Sequence, residues 1–470
     1  MAPSARASGS RPERTIVLAA FFPLLVSATR PCVAEPAPAD PATESGWPQW
    51  RGPRATGESP DGDPPIEWSP TQNLRWKTAI PGLGHSTPIV LGDRVFVTSA
   101  IPVGDARPPV DDNAAGSHDN LAVTHVHRFV ALGVDRHSGK VLWQTTLAEE
   151  FPHEGGHITG SLASASPASD GERVYAFFGS RGLHALDVDG KQIWSRSLGR
   201  MATKHAHGEG SSPVLHGDTL AVNWDHEGQS LLVAFDKHTG EERWRVERDE
   251  VTSWASPIVV EHGGREQIIV SGTNRVRAYD LATGKVIWEC GGLSHNVVAS
   301  PVGADGMVFA ASSYETRALL AIRLDGAAGD ITSTDRLAWT RDRGTPYVPS
   351  PLLAGGSLYL LRHYQGILTR LDAATGKELD GPYRLAAIDD VYASAVAAAR
   401  RVYVTDRSGT TVVLVRERDG EPRRLTIVAV NRLEDSFNAS MAIAGGDIFL
   451  RGRAHLYRIA RPDAADRSDG

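Results

Sequence analysis

Cysteine is nearly absent from this 470-residue chain, which carries only Cys32 and Cys290. That scarcity excludes a disulfide framework and a cysteine-based metal centre. Long apolar runs are also scarce. The one near the start, "TIVLAAFFPLLVSA" (Thr15 to Ala28), is too short to span a bilayer comfortably and is interrupted by Pro23. Arg6, Arg11 and Arg14 precede it and small residues close it. Residues 1–34 therefore read as a secretory signal peptide cleaved after Ala28 or Ala34, with an uncleaved anchor as the alternative. Cleavage leaves no transmembrane span and sends the protein to the periplasm or outside the cell. A basic excess is missing as well. Lys and Arg number 49 against 56 Asp and Glu, a formal charge of −7. Removal of residues 1–34 makes it about −10, a sign that excludes nucleic acid as a partner.

Helical periodicity is not found, whereas 47 glycines and 29 prolines mark many turns. What is abundant is repetition. "DKHTGEERW" (Asp236 to Trp244) returns 44 residues later as "DLATGKVIW" (Asp280 to Trp288). A second mark, a small residue followed by Pro88, Pro167, Pro213, Pro257, Pro301, Pro351, Ala395 and Met441, recurs at 44 to 50 residues except for one gap of 79. Eight units result, the first holding an insertion. Alternation within "DTLAVNW" and "LLVAFD" predicts half-buried strands, and "HTGE" predicts a hairpin turn with Gly240 at positive φ. Units of about 45 residues with four strands are propeller blades, which bury their faces only by stacking on one another.

The fold expected is all-β: an eight-bladed propeller over residues 69–460. The eighth unit ends after "AHLYRIA" without an outer Trp strand, while "NLRWKTAI" (Asn73 to Ile80) is an outer Trp strand with no unit before it. The N-terminal strand is therefore expected to complete the last blade. Residues 35–68 form a Pro/Ala-rich tether and N-terminal arm, and 461–470 a flexible tail. Trp143, Trp194, Trp244, Trp288 and Trp339 are expected to pack between blades, the series fading to Leu379 in the sixth unit.

"ALDVDGKQIW", "AFDKHTGEERW" and "AYDLATGKVIW" resemble the pyrroloquinoline quinone (PQQ)-like repeat shared by quinoprotein alcohol dehydrogenases and BamB proteins of outer-membrane assembly. "WPQWRGP" (Trp47 to Pro53) and "YVPSPLL" are similar to secreted PQQ-like propellers of planctomycete-type bacteria. The dehydrogenase branch implies adjacent cysteines, a calcium-binding Glu/Asn set and a catalytic Asp. None maps onto this chain, so the residues do not support PQQ as a cofactor. The BamB branch implies a lipid anchor, and "TRPC" at Cys32 is not a lipobox.

By resemblance to other propellers, the loops leading into the innermost strands and the turns between second and third strands share one face. His85, His153, His157, His205, His207 and His295 fall on such loops and His226 on such a turn. The first-blade insertion adds His118, His125 and His127. Glu209 and Asp225 accompany them. Imidazoles with carboxylates suit a divalent metal, for which His153, His157, His205, His207 and His226 are the candidate ligands, although no recognised ligand spacing occurs. Trp254, Asn296, Tyr347, Tyr392 and Phe437 stand at matching places, and the mouth they ring suits a protein edge, a sugar or another small polar ligand, with Arg341 and Arg343 near for an anion. Two functions follow: a binding or scaffolding module, BamB-like, or an oxidoreductase or metal-assisted enzyme using the histidine-rich mouth.

Overall fold

The computed structural model describes residues 46–109, 114–416 and 424–462. The expected signal peptide and most of the tail lie outside these. Among the described residues there is no α-helix, only two short 3-10 turns, and no helix long and apolar enough to cross a membrane. Eight sheets form an eight-bladed β-propeller. From the channel outward, blade one is Ile89–Leu91, Arg94–Val103, Val126–Asp135 and Val141–Glu150. Blade three, which follows the repeat most fully, is Val214–His216, Thr219–Trp224, Ser230–Asp236 and Glu242–Arg248. In blade eight, Leu74–Ala79 pairs antiparallel with His455–Ile459, placing Trp76 opposite Arg458. The expected closure of the ring by the N-terminal strand is what the structure has, and the innermost strands of blades eight and one pack together.

The burial pattern differs from the expectation of half-buried strands. Every residue of Thr219–Trp224 is buried, and only Asp236 of Ser230–Asp236 is not. Both faces of the middle strands meet a neighbouring blade, so alternation there sorts side chains between two seams rather than between core and water. True alternation with solvent is confined to the outer strand, Glu242–Arg248.

The repeated Trp and Gly serve different blades. The Trp194 indole of blade two donates to the Lys237 carbonyl at 3.1 Å, and a Cβ on Gly240 of blade three would stand 2.6 Å from that ring. Trp76, Trp143, Trp244 and Trp339 repeat the arrangement on Gly139, Gly190, Gly284 and Gly376. Glycine is thus required twice over, for positive φ and for the approach of an indole face. In blade six the ladder pairs Arg370 with Asp380, so Asp380, not Leu379, stands in the tryptophan's place.

Residues 47–59, within the expected N-terminal arm, are bonded to the ring. Trp47 exchanges two backbone hydrogen bonds with Val90 of blade one. Gln49 accepts from the Leu215 N–H of blade three. Arg51 is 1% exposed and donates to the carbonyls of Pro351, Ala395 and Thr56. Glu58–Ser59 then adds a parallel strand to the inner edge of blade seven. This strap crosses the ring along the innermost strands of blades one, three, six and seven and gives the channel a floor.

Candidate functional site

The small residue before each opening Pro has a shared task. The Thr87 N–H donates to Ser166 Oγ, Ser166 to Ser212, Ser212 to Ser256, Ser256 to Ser300, Ser300 to Ser350, Ser350 to Ser394 and Ser394 to Ser440, all at 2.9 Å. Seven links of one sense join the blades around the hub. Thr87 holds the eighth place, and its buried Oγ1 has no hydrogen-bond partner. From below, the Trp50 indole of the strap donates to Ser300 Oγ at 3.1 Å.

Above this ladder lies a cup of about 530 Å³, open on the loop face and lined by residues from all eight blades. Its wall at blades one to three is histidine. The blade-one insertion folds across the next two blades: Leu121 N–H donates to the Gly156 carbonyl, and Ile158 N–H to that of Asp119. His118, His157, His205 and His207 lie against one another with ring centroids 4.9 to 5.4 Å apart. One ring nitrogen of each is in use, that of His118 with Asp119. His205 Nδ1–H donates to the Ala115 carbonyl at 2.8 Å, His207 Nε2–H to that of His118 at 3.0 Å, and His157 Nδ1 meets Thr159 Oγ1 at 2.7 Å. Burial pushes His207 down to about 4. His85, on the entry loop of blade one, is held at about 3 by burial and by the charges of Arg451, Arg407 and Arg453. Both are neutral at physiological pH.

The opposite wall is an aromatic arc from blades five to seven. Tyr314 stacks on Tyr347 at 5.5 Å, Tyr347 on His363 at 4.9 Å, His363 meets Tyr364 at 4.4 Å, and Tyr364 meets Tyr392 at 5.9 Å. Trp254, whose indole donates to the Gly208 carbonyl at 2.7 Å, completes the lining beside blade four. Asn296 is 5% exposed at φ +59°, and its Oδ1 is without a partner.

Of the residues singled out from sequence, His85, His118, His157, His205, His207, Glu209, Trp254, Asn296, Tyr347 and Tyr392 line the cup. The rest do not. Asp225 is fully buried in an ion pair with Arg248 at 2.8 Å and accepts from Ser253 at 2.7 Å. His226 Nδ1 accepts the N–H groups of Ala202 and Gly228, and Nε2–H donates to the Gln229 carbonyl, a turn-holding role. His153 donates to the Met201 carbonyl, and His295 stands exposed 3.8 Å from Glu315. Phe437 is 1% exposed and packs on Tyr457. Arg341, on the outer strand of blade five, is tied to Glu378 of blade six. Sequence reasoning missed the serine ladder, Trp50, Tyr314, His363 and Tyr364. The last three sit on second-to-third-strand turns, so the loop rule applied to the other histidines reaches them too.

Among the described residues no group of three or more His, Cys, Asp or Glu side chains is placed to hold a metal ion. Nor do the residues fit a quinone with its calcium. Cys290 is buried and alone in the outer strand of blade four. Both Glu209 carboxylate oxygens are taken by Ser180 and Arg181.

A family model described as outer membrane protein assembly factor BamB matches residues 127–381 and, in an overlapping placement, 229–468. The BamB of Burkholderia pseudomallei (strain K96243) is 30% identical over 111 residues, an alignment spanning 24% of this chain and 23% of that protein. The crystal structure of BamB from Moraxella catarrhalis superposes at TM-score 0.51 with 15% identity, over 77% of this chain and 98% of that one. That likeness speaks for fold alone. The quinohemoprotein alcohol dehydrogenase of Comamonas testosteroni covers 91% of this chain and 83% of its own at 13% identity, but at TM-score 0.44 the superposition is too loose to bear on function.

Proposed function

The chain belongs to the family of the outer membrane protein assembly factor BamB, and from that premise we propose that it is a binding propeller of the periplasm or cell exterior. Its partner is a protein, engaged through the loop face that carries the cup. The observation that carries this reading is the lining itself. Side chains from all eight blades converge on one concave site of stacked aromatics and hydroxyls, the composition of a recognition surface. His205 and His207 beside it are bonded to backbone carbonyls and His207 is neutral, which suits them to shaping the wall. The family name supports a protein partner over a free sugar.

A photo-crosslinking residue at position 364, in place of the half-exposed Tyr364, tests the face. A matched probe replaces Leu142 on the outer strand of blade one, which is similarly exposed. The expected outcome is one discrete protein adduct from position 364, competed away by excess unlabelled protein and missing from position 142. Equal labelling from both positions would remove the loop face as the binding face.

A further inference from the structure

The serine ladder leaves a chemical remainder. A serine hydroxyl has one donor proton and two acceptor lone pairs. In each of the seven links the Oγ accepts a backbone N–H from the preceding blade, and Ser300 also accepts from Trp50. None of these seven hydroxyls donates to any group among the described residues, and all seven line the base of the cup. The backbone bonds fix each Oγ in place and leave its O–H to turn toward the cavity. The base of the cup is a ring of convergent donors whose own acceptor capacity is half consumed at six serines and wholly at Ser300.

Acceptors are few around it. Of the two carboxylates in the lining, Glu209 is committed to Ser180 and Arg181, and Asp119 is on the rim with its side chain 63% exposed. Positive charge stands just behind the wall. Arg407 lies 4.8 Å from the Tyr392 ring, though paired with Asp390 at 2.7 Å and bonded to Asn438 at 3.0 Å. Arg451 is 1% exposed, and none of its three guanidinium nitrogens has a hydrogen-bond partner. Its charge reaches His85 in the cup wall.

From this donor ring we infer that the cup is a site for an organic carboxylate whose aromatic or apolar body lies along the tyrosine arc. The lining contains no Lys or Arg among the described residues. A phosphate dianion would therefore lack direct charge pairing, whereas a carboxylate is served by hydroxyl donors with the arginines' field behind them. The rings from Tyr314 to Tyr392, packed on one another at 4.4 to 5.9 Å, give the rest of the ligand an aromatic wall to lie along. The inference rests on the loop face being the binding face. The carboxylate comes from a free small acid or from the end of a protein chain.

Calorimetric titration of the full mature chain with benzoate, benzamide and inorganic phosphate tests the inference. Benzoate is expected to saturate one site, with benzamide and phosphate at least tenfold weaker. Tyr347→Ala should weaken benzoate at least fivefold while the chain stays folded, and Ser350→Ala with Ser394→Ala should weaken it further. Should the serine pair unfold the hub, Tyr347→Ala and the benzamide comparison still decide. Phe-terminated tetrapeptides, as free acid and as amide, separate the sources. Tighter binding of the free-acid peptide than of benzoate assigns a chain end, and the reverse a small acid. Equal binding of benzoate and benzamide, or saturation by neither, would overturn the inference and leave the ring to water. Crosslinking from position 364 is indifferent to that loss, so failure of the carboxylate site and failure of the binding face are read separately.

Discussion

At the residue scale, the fold depends on single glycines in contact with single indoles. Gly240 has φ +68° and the Trp194 ring against it, whereas Gly217 of the same blade has φ +53° with nothing within 4 Å of its missing Cβ. Gly217→Ala is therefore expected to cost about 1 kcal/mol of backbone strain, and Gly240→Ala about 2–3 kcal/mol because the indole must also withdraw. Urea denaturation of the two variants checks this, and equal losses would mean that Trp194 does not seat on that turn. Two histidines set a pH dependence. His85 and His207 titrate at about 3 and about 4 in the folded chain, against 6.5 when free. The unfolded state thus takes up their protons first, so the stability they allow is complete above pH 6.5 and declines as pH falls from there toward 4. Melting temperatures at pH 7.5 and 5 should differ in the native chain, and His85→Gln with His207→Gln should shrink that difference. A difference that is unchanged in the double variant would place both rings in water.

At the scale of the element, the strap is the segment whose importance exceeds its sequence signal. Burial pushes Arg51 down to about 9, still charged at neutral pH, and its contacts with Pro351 and Ala395 tie the strap to blades six and seven. Arg51→Met strands these carbonyls, so a loss of about 2–4 kcal/mol is expected in the denaturation midpoint. A change within about 0.5 kcal/mol, the range of ordinary surface substitutions, would mean that the strap is only loosely seated. "WPQWRGP" carried a family likeness but no hint of this path, because its partners are backbone groups far along the chain and no periodicity points to them. The blades were legible for the opposite reason: Trp, Gly and Pro recur at fixed spacing since five of the eight seams pose one packing problem. The serine ladder was as legible as the tryptophans, standing before each Pro, yet its meaning needed the ring to be closed. The mouth was half legible. Loop position finds His157 and Tyr347, but nothing local separates His207, which lines the cup, from His226, which faces a turn.

At the scale of the molecule, closure and cap are joined, since the chain reaches the Leu74–Ala79 strand only after crossing the floor. Deleting residues 1–80 leaves His455–Ile459 as an open edge and removes Trp76 from the seam with blade one. A broad, early melting transition with self-association on gel filtration is expected, and an unchanged sharp transition would refute closure by this strand. The docking of Trp76, Trp143, Trp194, Trp244 and Trp339 on the following blade's glycine has one more consequence, in ancestry. Because every unit of this kind brings a socket for its predecessor and a plug for its successor, excising or duplicating a stretch from one opening serine to the next leaves each plug facing a socket. Unequal recombination between such repeats can change the number of blades without inventing a new joint, and selection is then left to settle only how widely the ring must open.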